Sequence, residues 1–142
     1  MNIETSKKKQ KVIWKMFELK VVSHFAAAHQ LAMVTEKCEN LHGHNWKVEV
    51  YVSGNHLDHA GVVMDFGVLK KILAEILNTL DHKFLNDLEA FNNKNPSSEN
   101  IAKYIAASMQ AKIKGPSIRI SRVTTWESED ACATYFPDNS HP

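Results

Sequence analysis

Apolar residues alternate with polar ones in two early stretches, recur at helical spacing in two middle ones, and return to strand-like runs at the end. Residues 14–25 are rich in strand formers, with Phe17, Leu19 and Val21 set against Glu18, Lys20 and Val22, which predicts a first strand. A second strand is predicted over 46–52, where Trp46, Val48, Val50 and Val52 share one face and Lys47, Glu49 and Tyr51 the other. The two are antiparallel if they form a hairpin, and the long connection between them is then a functional loop. Gly54-Asn55 and Gly61 mark 53–61 as a turn. Asp65 is placed to cap a helix reaching about residue 80, because Phe66, Leu69, Ile72, Leu73, Ile76, Leu77 and Leu80 fall on one stripe that reads as core. A second helix starts at Pro96-Ser97-Ser98-Glu99, buries Ile101, Tyr104, Ile105, Met109 and Ile113, and stops at Gly115-Pro116. Strands over 117–127 and 131–136, joined by the acidic turn Ser128-Glu129-Asp130, complete the chain.

The order ββααββ predicts an α+β fold, a four-stranded antiparallel sheet with two helices on one face. Such a sheet leaves two edges and one face to cover, so association with further copies is expected.

At 142 residues the chain is one domain's worth, long enough to bury roughly 70% of the surface its unfolded form exposes. The domain is expected over 14–137, after a basic, solvated extension over 1–13 carrying Lys7, Lys8, Lys9 and Lys11, and before a tail over 138–142. A balance of 17 Lys+Arg against 16 Asp+Glu, net +1, argues against nucleic acid or an anionic membrane as the main partner. Only Cys38 and Cys132 are available, which is no disulfide framework and fits a reducing cytoplasm; Cys132, alternating along the last strand, reads as a small core residue. No apolar run approaches the 18 or so residues that span a bilayer, and the polar start lacks a secretory h-region.

The candidate chemistry is concentrated in Cys38-Glu39-Asn40-Leu41-His42-Gly43-His44. In extended backbone, residues two apart point the same way, so His42 and His44 can direct both rings at one point. Zinc takes His nitrogens readily, and a catalytic site commonly keeps three protein ligands and one open position. His29, at the loop end of the first strand, is the natural third ligand, with His24 as competitor. Cys38 is either a fourth ligand closing a structural site or a free thiol beside the cation, acidified to serve as base or nucleophile; spacing does not choose. In Asp81-His82 the carboxylate can orient the imidazole, although a polar helix end is the plainer reading. Glu127 ends a strand face shared with Val123 and Thr125, and solvent exposure is its plainer reading. His56 and His59, in the 53–61 turn, read as solvated.

Six motifs in register, Phe25-Ala26-Ala27-Ala28-His29, Cys38-x3-His42-Gly43-His44, Gly61-Val62-Val63-Met64-Asp65-Phe66, Leu80-Asp81-His82 with Leu85-Asn86, Asn95-Pro96-Ser97-Ser98-Glu99-Asn100, and Glu127, resemble the 6-pyruvoyl-tetrahydropterin synthase family. The three-residue gap after Cys38 is similar to the bacterial branch that forms 6-carboxy-5,6,7,8-tetrahydropterin in the queuosine pathway, whereas animal biopterin enzymes have a longer gap and a folate-related branch carries glutamate in place of the cysteine. The resemblance implies a tunnelling fold, three sheets closing into a barrel and two trimers stacking as a hexamer with interfacial sites. It further implies zinc on His29, His42 and His44, Cys38 as proton-abstracting base, Asp81-His82 as acid/base partner, Glu127 as anchor of the pterin ring, and Ser97, Ser98 and Glu99 as further substrate contacts. The implied reaction turns 7,8-dihydroneopterin triphosphate and water into 6-carboxytetrahydropterin, acetaldehyde and triphosphate. A pyruvoyl-forming reaction on the same substrate, and a non-catalytic zinc-binding oligomer, are the competing readings. The extension before about residue 14, the tail after Phe136, Trp46 in place of a smaller aromatic, and Ser97-Ser98 in place of a threonine-containing pair depart from the family pattern.

Overall fold

A computed structural model describes residues 16–34 and 39–137; the basic extension over 1–13, Cys38 and the tail over 138–142 lie outside the described residues. Strands β1 (Phe17–His29) and β2 (His42–Gly54) form the antiparallel hairpin the alternation called for, paired from Phe17 opposite Gly54 to His29 opposite His42. Both strands run further toward the loop than the side-chain pattern predicts. Pairing of Ala26, Ala27 and Ala28 with Asn45, His44 and Gly43 satisfies the backbone there whatever the side chains do.

Helix α1 (Phe66–Leu77) starts at Asp65, whose carboxylate accepts from Val68 N at 3.1 Å, and helix α2 (Ser98–Lys112) starts at Ser97, whose hydroxyl accepts from Asn100 N at 3.2 Å. Leu69, Leu73, Ile76 and Leu77 of α1, with Leu80 beyond its end, pack with Ile101, Ile105 and Met109 of α2 against Val21, Phe25, Val48 and Val50 of the sheet. Phe66 departs from the expected stripe: it is 50% exposed at the first position of α1, whose buried residues begin at Leu69.

After the first helix the chain returns to the outer edge of β1 as a short strand, β3 (Lys83–Phe84), parallel to Ala27 and Ala28. With β4 (Ile118–Ser128) and β5 (Ala131–Tyr135) the sheet therefore has five strands in the order β3-β1-β2-β4-β5, four of them antiparallel as predicted. Two-residue β3 was invisible to periodicity, since no pattern repeats within two residues. Cys132 is corrected: it is exposed, because opposite Trp126 on the outermost strand it points to the face that no helix among the described residues covers.

That uncovered face holds a buried acid. Glu49, 7% exposed, accepts from Trp126 Nε1 at 2.5 Å and Tyr51 Oη at 3.0 Å, with Lys20 Nζ at 3.5 Å and Lys47 Nζ at 3.8 Å. Burial alone would raise its pKa, but the Trp126 and Tyr51 hydrogen bonds and the two lysine charges outweigh burial and hold the carboxyl below the usual range. A depressed carboxyl contributes stability that is complete above its unfolded pKa of about 4.5 and is lost as pH falls through the lower folded value. Glu49→Gln is expected to cost about 1–2 kcal/mol near neutral pH and to flatten the acid limb of a stability profile measured by urea denaturation. Equal slopes for both proteins below pH 5 would contradict this.

Candidate metal centre and its flanking clefts

His29 ends β1 and His42 begins β2 directly opposite it, so the hairpin register aims both side chains from one face; His44, two residues on, joins them. His29 Nε2 and His42 Nε2 lie 2.8 Å apart, and one ring nitrogen from each of the three residues falls within 4.8 Å of the others. The rings meet edge to face with centroids 4.5, 4.8 and 5.1 Å apart, and the fully buried Trp46 forms their floor, 5.2 Å from His29 and 5.3 Å from His44.

Hydrogen bonds on the far sides of the rings set their tautomers. His29 Nδ1 donates to Pro96 O and His42 Nδ1 to Asn40 O, each at 2.7 Å; a carbonyl only accepts, so in the neutral rings the free lone pairs sit on Nε2. Two facing lone pairs at 2.8 Å repel, and His44 Nε2 is buried with no hydrogen-bond partner among the described residues. A cation between the three nitrogens removes both problems, so the residues fit a metal. Burial pushes the His29 pKa down, the Pro96 bond opposes this, and the neighbouring imidazoles add to it; burial likewise lowers His44 against the opposing charge of Glu127. Neutral imidazole is the ligand form.

His24, the competitor, is exposed on the opposite face across from Lys47, and His56 and His59 are exposed in the turn after β2. Among the described residues the metal-capable cluster is His29, His42 and His44.

Asp81-His82 reaches the site from the other edge. Asp81 Oδ1 accepts from Ala26 N at 2.9 Å while His82 N donates to Ala26 O at 2.6 Å, which docks the dipeptide on β1. Asp81 Oδ2 lies 2.9 Å from His82 Nδ1, and the carboxyl is held low first by the Ala26 N–H and then by His82. His82 has φ 56°, a left-handed conformation rare for a residue with a side chain and kept here by the bonds on both sides of it. It is exposed, and with His44 lines a cleft of about 520 Å³.

Glu127 sits at a register shift: Trp126 pairs with Cys132 and Ser128 with Ala131, leaving Glu127 as the extra residue of a bulge that re-aims it. It lines a second cleft, of about 730 Å³, again with His44. Ser98 Oγ donates to Glu127 Oε2 at 3.4 Å, and Thr125 Oγ1 donates to Ser98 O at 2.7 Å, tying the start of α2 to β4. Of the three predicted contacts in this segment, Ser98 thus joins Glu127, whereas the Ser97 hydroxyl caps the helix and Glu99 is exposed in its first turn.

The sequence model of the 6-pyruvoyl tetrahydropterin synthase family matches residues 18–138. The chain belongs to this family. Curated relatives of this synthase-family chain include the 6-carboxy-5,6,7,8-tetrahydropterin synthase of Synechocystis sp., 38% identical over 83% of this chain and 92% of the relative. The dihydroneopterin monophosphate aldolase of Pyrococcus furiosus is 37% identical over 75% and 85%. The solved 6-pyruvoyl tetrahydropterin synthase of Caenorhabditis elegans superposes with a TM-score of 0.77 at 30% identity, covering 87% of this chain and 97% of that one.

For this family member, sequence reasoning missed the groups behind the three candidate ligands. The Pro96 carbonyl, the Asn40 carbonyl and the Trp46 floor act through backbone or packing, which side-chain chemistry does not announce. Asn86 and Asn95 stood in quoted motifs, but nothing in the sequence said what they hold.

Proposed function

We propose that this synthase-family enzyme uses zinc to convert 7,8-dihydroneopterin triphosphate and water to 6-carboxy-5,6,7,8-tetrahydropterin, acetaldehyde and triphosphate, as a cytoplasmic enzyme of queuosine (7-deazaguanine) biosynthesis. The observation that carries the reading is that His44, one of three converging imidazoles, lines both the cleft holding Glu127 and the cleft holding His82. A substrate against the metal then has a ring anchor on one side and a proton carrier on the other.

His29, His42 and His44 would hold the zinc, which would supply a Lewis acid beside the side-chain oxygens of the substrate and so make the neighbouring C–H bonds more acidic. The Glu127 carboxylate accepts from the pterin ring N–H and exocyclic amine, fixing which carbon faces the metal centre, and Ser98 steadies that carboxylate. Cys38, four residues before His42, takes the proton as thiolate. His82, oriented at Nδ1 by Asp81, keeps Nε2 free to exchange protons during triphosphate loss and carbon–carbon cleavage. Ser97 and Glu99 complete the substrate-side segment at the start of α2.

The carboxy-forming branch is supported by the Cys38-x3-His42 spacing and by relatives of that name in Synechocystis sp. and, at 36% identity, Bacillus subtilis. The uncovered sheet face and the open edge of β5 support a homohexamer built as two stacked barrels, with active sites between subunits. Among the described residues no helix is long and apolar enough to cross a membrane.

Purified protein incubated with 7,8-dihydroneopterin triphosphate is expected to release acetaldehyde in step with a product of the carboxytetrahydropterin mass. A pyruvoyl product without acetaldehyde would overturn the branch.

A further inference from the structure

The geometry points to Asn86 and Asn95 as positioning residues that lock the segment leaving His29 and thereby set the metal-binding geometry. This rests on the metal reading above. Asn86 Oδ1 accepts from Gln30 N at 2.9 Å while its Nδ2 donates to Gln30 O at 2.7 Å. Asn95 repeats the arrangement two residues on, accepting from Ala32 N at 2.9 Å and donating to Ala32 O at 2.8 Å. Each side-chain amide thus reproduces the two-bond exchange of an antiparallel strand pair. Gln30 and Ala32 lie beyond the end of β1 and are exposed, so no strand neighbour does this for them.

Two of the three rings depend on what the clamps hold. Asn95 precedes Pro96, whose carbonyl orients His29, and is itself braced by Asn100 Nδ2 donating to Asn95 O at 2.8 Å. From the clamped Gln30, Nε2 donates to Glu39 O, and Glu39 Oε1 accepts from Met33 N at 2.9 Å, where the chain turns at φ 62°. The next residue, Asn40, supplies the carbonyl that orients His42. The carbonyl that fixes His29 therefore adjoins the Asn95 clamp, and the carbonyl that fixes His42 is tied through Glu39 to the segment both clamps hold. Only a primary amide both donates and accepts in this shape; a carboxylate accepts but sets its second oxygen against the backbone carbonyl.

Asn86→Asp and Asn95→Asp keep size and the accepting atom and remove the donor. Partners behind metal ligands typically contribute 10–100-fold to affinity, and each variant is expected to bind zinc about 10-fold more weakly in chelator competition, with its unfolding midpoint close to that of the parent. The double variant should lose less than the product of the single effects, since both clamps hold one segment. In the unaltered protein, amide hydrogen exchange at Gln30 and Ala32 should be slow despite their exposure, and each variant should speed exchange at its own amide, because the new carboxylate oxygen repels the Gln30 or Ala32 carbonyl and opens the clamp, while Val48 and Val50 stay protected. Unprotected exchange at both amides in zinc-binding parent protein would overturn the clamps alone, and this measurement decides the matter even if a variant fails to fold. Zinc affinities within twofold of the parent would also overturn the proposal. Parent protein that binds no zinc would instead remove the metal reading, and the proposal with it.

Discussion

His42→Ala is expected to abolish metal binding and turnover together, whereas Cys38→Ala keeps a full complement of metal and loses only turnover. His42 Nε2 is half of the 2.8 Å nitrogen pair at the centre of the cluster, and its removal leaves His29 and His44 as two teeth of a three-toothed site. Three protein ligands and one open position are the ordinary furniture of a catalytic zinc, and three imidazoles are present without the thiol. Removing a general base costs roughly 10²–10⁴-fold in kcat, about 2.7–5.4 kcal/mol of barrier. Elemental analysis for zinc beside steady-state kinetics reads both outcomes. Loss of metal from the Cys38 variant, or strong thiolate-to-metal charge transfer after cobalt substitution, would make the thiol a ligand and favour a closed, non-catalytic site.

Glu127→Gln is expected to lower kcat/KM by roughly 10²-fold with zinc content unchanged, since charge-assisted hydrogen bonds contribute about 1.5–3 kcal/mol and two to the pterin ring would be weakened. The substitution preserves shape and the bond from Ser98, so the loss reports charge and acceptor capacity at the bulge. Retention of kcat/KM within threefold would remove Glu127 as the ring anchor and leave the 730 Å³ cleft without its recognition element.

Most of the architecture was legible along the chain because burial enforces period. Trp46, Val48, Val50 and Val52 are all fully buried, and Leu69, Leu73, Ile76, Leu77 and Leu80 line the helix-facing core, as their spacing required. Misreadings fell where local pattern and position in the fold diverge. Phe66 has the right phase but is half exposed at the first position of α1, and Cys132 alternates correctly toward a face that no helix among the described residues covers. The strand β3 exists because Asp81 and His82 bond to Ala26, a contact 55 residues away that no window over the sequence contains.

By itself the sequence determined the order of the two helices and four antiparallel strands, most of the core faces, the caps at Asp65 and Ser97, and the candidacy of His42 and His44 with His29 or His24 as donors, because each follows from residue type and short-range spacing. Only tertiary structure decided how those donors are used. Pairing of His29 with His42 across the hairpin, the bulge that turns Glu127 toward His44, the Pro96 and Asn40 carbonyls that leave Nε2 free, and the Asn86 and Asn95 clamps all depend on backbone groups brought together by register. Every residue carries the same backbone donor and acceptor, so a sequence names a ligand's side chain but not the carbonyl that aims it.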